Sequence, residues 1–171
     1  MRFLPLLLLP LSLLASANDW ELVRQDTQRN IKVYTRAQNN SSYDEFYAQT
    51  VVPQPLTTVV AVLSDINAWP QWLARIKEVK LLKKENDRRW LYLVYKLPYP
   101  FIERDAILYS YVTTLPKNQG VMIDTMALRS YPLPFAQTSK RVRLTDLNST
   151  WKLTPLPSGG TSIELSGRGE P

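Results

Sequence analysis

Few residues in this chain have the chemistry to react. Its 171 residues include no histidine and no cysteine. That removes imidazole and thiolate metal ligands, thiol nucleophiles and every Ser–His or Cys–His arrangement. The carboxylates at Asp44, Glu45, Glu78, Glu85, Asp87 and Asp146 lack the spacing of a calcium loop or other metal motif. Solvation and cross-strand pairing account for them. Arg104-Asp105 is the adjacent pair that reads as a candidate anion-binding or acid–base site. Neighbours in a strand point to opposite faces, so these two side chains do not converge on one substrate atom. A structural role is expected instead, with Arg104 pairing an acid such as Glu103 or Asp124. No catalytic residue, metal site or cofactor is predicted.

The elements that would position these groups follow from periodicity. Residues 19–27 read as a short helix capped by Asn18 or Asp19, with Trp20, Val23 and Leu22 on one side. Residues 31–36 alternate as a strand, 39–42 turn, and 43–52 return as a second strand until Pro53 and Pro55 end the pairing. Residues 55–65 carry Val59, Val62, Leu63 and Ile66 at helical spacings, and 68–73 add a short helical turn anchored by Trp69 and Trp72. Strands then follow at 76–84, 88–97, 104–115, 121–129, 140–147, 150–156 and 161–166, separated by turns at Asn86-Asp87, 117–120 and Ser158-Gly159-Gly160. No internal repeat or low-complexity linker interrupts them. The pattern is an α+β domain built on a long curved antiparallel sheet. Nine tyrosines and five tryptophans supply large side chains with polar tips, suited to a roomy interior of mixed polarity.

Residues 1–17 read as separate from the fold. Met1-Arg2 is a short basic start, 3–14 is apolar apart from Pro5, Pro10 and Ser12, and Ala15-Ser16-Ala17 fits signal-peptidase cleavage. A membrane span needs roughly 20 apolar residues, and this run is shorter and broken by proline. Residues 18–171 are expected as the mature domain of an exported protein, periplasmic or secreted. With no cysteine, anchoring through a lipidated cysteine is excluded. The formal charge of +6 then points to anionic lipid headgroups and a transient membrane surface rather than nucleic acid.

Several strings resemble StAR-related lipid-transfer (START) domains. Trp20-Glu21-Leu22 followed by Asn30-Ile31-Lys32-Val33-Tyr34 is similar to the family's opening. Trp72 stands four residues before the strand that begins at Ile76. Leu97-Pro98-Tyr99-Pro100 leads to Arg104-Asp105, and Arg141-Val142-Arg143 leads to Trp151-Lys152-Leu153-Thr154-Pro155. The resemblance implies the helix-grip fold, in which a curved antiparallel sheet wraps a long C-terminal helix around a ligand cavity. It implies non-catalytic binding of one lipid or sterol-like molecule, with Trp72, Arg104, Asp105 and Arg143 as structural residues of the motif. Family members continue past an ending like Glu170-Pro171 into the long helix, whereas this sequence stops there. A concave face without that helix favours dimerisation, membrane adhesion or another cover. Some members also carry a buried acid–Arg pair. The arginine's position is Ser110 here, with Tyr95 on the facing strand, so a headgroup would meet hydroxyls.

Strand parity then selects candidate ligand contacts. The odd residues Leu91, Leu93 and Tyr95 are expected inward, matched by Leu108, Ser110 and Val112 on the next strand, with Met122 and Met126 as adaptable fillers. Two loops combine proline with aromatics, at 98–102 (Tyr99, Phe101) and 131–137 (Tyr131, Phe135), the second beside Lys140, Arg141 and Arg143. Both are expected to dock on anionic membrane and admit the ligand. Two rival readings stay open: an enzyme on the same fold, such as a cyclase or hydrolase, and an interaction domain whose sheet is covered by a partner.

Overall fold

The structure, a computed structural model, describes residues 19–135 and 140–170; the expected signal peptide lies outside them. Ten strands form one unclosed, curved sheet. In chain order they are β1 Glu21–Asp26, β2 Ile31–Arg36, β3 Glu45–Val52, β4 Ile76–Glu85, β5 Arg88–Tyr95, β6 Arg104–Thr114, β7 Val121–Ala127, β8 Val142–Leu144, β9 Leu147–Pro155 and β10 Thr161–Gly169. Their order across the sheet is β1-β2-β3-β10-β9-β7-β6-β5-β4, with β8 paired to β6. Helices α1 (Leu56–Ser64) and α2 (Trp69–Trp72), joined by a 3₁₀ turn, cross between β3 and β4. This is the helix-grip arrangement; among the described residues no helix follows β10.

The expected N-terminal helix is a strand. Residues 21–26 pair with β2 from Glu21↔Thr35 to Asp26↔Ile31, and the register slips between Leu22 and Arg24. That bulge sets Leu22 beside Val23 and hides the two-residue alternation, which is why the segment resembles a helix face. The hairpin turn is tied locally: Asp26 Oδ1 accepts from Arg29 N at 3.0 Å, and Asn30 takes a left-handed conformation at φ 52°, which asparagine tolerates.

Helix α1 buries Val59 and Leu63, one turn apart, against Leu153 of β9, while Val62 is exposed. Burying each such side chain contributes about 1.5–3 kcal/mol, so this small stripe holds the short helix to the sheet. Strands β5 and β6 are buried on both faces. Ile66, Leu91, Leu93, Ala106 and Leu108 form the inner cluster, and Tyr92, Val94 and Ile107 the outer one. Residues Leu128, Tyr131, Leu133 and Phe135 cover the outer cluster.

The strand expected over 140–147 is shorter and runs parallel. β8 lies against the start of β6, with Arg104↔Val142, Asp105↔Arg143 and Ala106↔Leu144. β7 begins pairing with β6 only from Leu108, so β8 fills the gap beyond it. β9 starts earlier than expected, at Leu147.

Candidate functional site

The concave face lines an open hollow of about 620 Å³, within the usual range of small-molecule sites, roughly 300–1,000 Å³. Leu93 and Tyr95 of β5 and Leu108 of β6 form one wall, and Leu147, Trp151 and Leu165 of β9 and β10 the other. Leu63, Trp69 and Leu73 from the helical crossover close over them. Trp69 is fixed by its indole N–H, which donates to the Leu63 carbonyl at 3.1 Å. Phe46 of β3 enters the wall across Gly167, where a Cβ would sit 2.9 Å from its ring. The polar rim, with Asp44, Arg168 and Glu170, lies at the end of the sheet where β5 finishes and β8 begins.

Toward the opposite end, a recess of about 40 Å³ shares Leu63, Trp69, Thr125 and Trp151 with the main hollow. It is lined by Arg89, Leu91, Ser110 and Val112. Thr125 Oγ1 donates to Ser110 Oγ at 3.0 Å. Burial pushes the Tyr95 phenol up to about 12, so its hydroxyl stays neutral and keeps its proton near neutral pH.

Strand parity thus places Leu93, Tyr95 and Leu108 in the main wall and Leu91, Ser110 and Val112 around the recess. Met122 and Met126 fall on the wrong face. They alternate with Ile123 and Thr125, which line the recess, and Met126 is 38% exposed. The residue opposite Ser110 is Arg89; Tyr95 stands opposite Arg104. Trp69 is the indole in the wall, whereas Trp72 is 42% exposed.

The Arg104-Asp105 motif is structural, with Asp105 on the convex face and partners other than those expected. Arg143 grips Asp105 through Nε–Oδ1 at 2.6 Å and Nη2–Oδ2 at 3.0 Å. The Tyr92 hydroxyl donates to Asp105 Oδ2 at 2.9 Å and accepts from Arg141 Nη1 at 3.1 Å. Arg141 also pairs with Glu103 at 3.1 Å, and Lys77 joins Glu103. Arg104 pairs with neither Glu103 nor Asp124. Its Nη1 donates to the Ile102 carbonyl at 3.0 Å, and Asp124 accepts from Thr150. Burial alone would raise the Asp105 pKa; the Arg143 and Tyr92 hydrogen bonds outweigh it and hold the carboxyl below its ordinary value.

The same network removes half of the expected docking surface. Arg141 is tied down, Tyr131 and Phe135 pack on the outer cluster, and Phe135 meets the Tyr92 ring edge-on at 5.0 Å. The rest of that loop, 136–139, lies outside the described residues. Lys140 is exposed. The other loop is free of such packing: Tyr99 is 97% exposed, Phe101 62% and Ile102 54%. It joins β5 to β6, at the rim end of the hollow. Sequence reasoning missed Trp151 and Leu165, although parity on β9 and β10 could have found them. It also missed Arg89, which shares its face with Leu91 and Leu93 but reads as a solvated charge.

The sequence matches the family model described as START domain over residues 8–163. None of the curated proteins matches it. Among solved structures it is similar to the STAR-related lipid transfer protein of Xanthomonas axonopodis, with a TM-score of 0.79, 24% identity and coverage of 89% of this chain and 82% of that one. It is also similar to the lipid transfer and protein localization domain of human StarD13, with a TM-score of 0.70, 18% identity and coverage of 90% and 75%. The Zhui aromatase/cyclase of Streptomyces sp. R1128 shares the fold more loosely, at a TM-score of 0.52 and 14% identity, over 75% of this chain and 68% of that one.

Proposed function

The chain belongs to the START domain family, and from that premise we propose that it binds one lipid or similar hydrophobic molecule non-covalently and carries it between membranes outside the cytoplasm. The observation that carries this reading is the 620 Å³ hollow walled by Leu93, Leu108, Leu147, Trp151 and Leu165. Burying an alkyl chain from water contributes about 0.8 kcal/mol per methylene, enough for capture from solution. A chain leaving a bilayer gains little, because it leaves one apolar medium for another. Exchange with a membrane is then nearly balanced, which suits a carrier.

The site is read as non-catalytic. A chain without histidine or cysteine leaves hydroxyls and the Arg89 guanidinium on the inner wall, with the carboxylates Asp44 and Glu170 at the rim and Asp87 at the exposed side of the recess. These do not make an acid–base pair converging on a substrate atom. Export is supported by the basic, apolar and small-residue succession of residues 1–17; a mature N-terminus at Asn18 in the exported fraction is the result expected from intact-mass measurement. Membrane contact is assigned to Tyr99, Phe101 and Ile102, with Lys96 and Lys140 exposed on the neighbouring segments.

Native mass spectrometry of the purified chain tests the reading directly. A one-to-one adduct with co-purified or added lipid is expected. An empty monomer that turns over a substrate would favour the enzyme reading, and an empty stable dimer the interaction domain.

A further inference from the structure

We propose that the bound molecule carries an anionic oxygen head, carboxylate or phosphate, and enters head first, so that Arg89 at the inner end of the hollow receives it. This deepens the lipid-binding reading above and rests on it.

Arg89 has the parity of Leu91, Leu93 and Tyr95 and therefore shares the concave face. Its guanidinium is held from one side, where Nη1 donates to the Ser64 carbonyl at the end of α1 at 3.2 Å. A guanidinium carries five N–H donors, and among the described residues no carboxylate lies within 4.0 Å of it. Asp87 lines the same recess but is exposed and unpaired with Arg89. A half-buried cation whose donors are mostly unused gains from an anion that arrives with its own acceptors.

The surroundings fit that head. The recess of about 40 Å³ is far too small for a chain, yet exceeds the roughly 10–15 Å³ that one water requires. The bonded Ser110–Thr125 pair lies beside it, and Thr125 also lines the main hollow. Leu63, Trp69 and Trp151 continue from the recess into the large apolar space. A single-headed amphiphile placed this way puts oxygen on Arg89 and the chain along Leu93, Leu108 and Leu165. The opposite orientation would put the head on Arg168 at the rim.

Equilibrium binding of oleate, oleyl phosphate and oleyl alcohol to the full chain at neutral pH tests this. Oleate or oleyl phosphate is expected to bind about tenfold or more tightly than the alcohol, as charge-assisted hydrogen bonds outweigh neutral ones. The arm with the larger gain identifies carboxylate or phosphate. Arg89→Gln should erase the preference while leaving alcohol binding intact, and Arg89→Lys should retain part of it. Arg168→Gln should leave the preference for the anionic head in place. Equal binding of acid and alcohol, or a preference that survives Arg89→Gln and disappears in Arg168→Gln, overturns the inference while leaving the cavity reading in place. Failure of all three amphiphiles to bind overturns both.

Discussion

Arg143 and Asp105 face each other across the parallel pairing of β8 with β6, and the guanidinium takes both carboxylate oxygens. The pair ties a three-residue strand to the sheet just where Leu144, next on β8, enters the cavity wall. A contact on the convex face thereby fixes part of the concave one. The Tyr92 hydroxyl and Arg141 extend the tie to Glu103, the residue that follows the exposed 98–102 loop.

Replacing Asp105 by Asn should therefore cost about 3 kcal/mol, since removing one partner leaves a largely buried guanidinium without its counter-charge. The measurement is the urea midpoint of unfolding compared with wild type. A change below about 0.5 kcal/mol, the level of an ordinary surface substitution, would show that β8 is held by its backbone pairing alone.

The pH dependence has a definite sign. The folded-state pKa of Asp105 lies below its ordinary value, burial being outweighed by the bonds from Arg143 and Tyr92. Glu103 is lowered too, chiefly by Lys77. Stability from such groups is fully present above the unfolded value, about 3.9 for Asp, and is lost as pH falls through the folded one. The Tm gap between wild type and Asp105→Asn should stay constant from pH 7 to about 5 and narrow below about pH 4. A gap independent of pH down to 2 would contradict the assignment.

How much of this was legible in the sequence differs by element. Strand parity on β5 and β6 placed Leu91, Leu93, Tyr95 and Leu108 because alternation there is uninterrupted and one strand fixes the next. On β7 the sequence Val-Met-Ile-Asp-Thr-Met-Ala is mixed on both faces, so its pattern does not tell which face the methionines take. β1 escapes the strand pattern because a bulge breaks its period. The pairing of Asp105 with Arg143 depends on a parallel contact between segments 38 residues apart, and no local signal carries that. Tyr131 and Phe135 looked like loop aromatics; only the tertiary fold shows that they cap Tyr92.

Narrowing the hollow should weaken binding with little loss of stability. Leu165 lies in the wall opposite Leu93 and Leu108 and is only partly buried. In Leu165→Trp the larger side chain has open space to enter, so the strain of overpacking, about 1–3 kcal/mol in a filled core, should be largely avoided. Circular dichroism and thermal unfolding should resemble wild type, while the lipid adduct in native mass spectra becomes less abundant. An adduct of unchanged abundance would place the bound molecule outside this hollow.

Tyr99 and Phe101 give the membrane question its sharpest test, because neither supports the fold. They are exposed on the loop between β5 and β6, so the double substitution to alanine should shift stability by less than about 0.5 kcal/mol. Their insertion among headgroups, by contrast, removes apolar surface from water, and each aromatic ring fully buried contributes about 1.5–3 kcal/mol. Even partial insertion of both rings should then weaken association with vesicles of anionic phosphatidylglycerol about tenfold or more. The residual binding should fall further with salt, since Lys96 and Lys140 remain on the neighbouring segments and exposed charges are screened beyond about 10 Å at 0.1 M salt. Vesicle co-sedimentation of the two proteins decides it. If the alanine variant binds as well as wild type at both salt concentrations, the loop is not the docking element, and ligand must enter elsewhere along the rim of Asp44, Arg168 and Glu170.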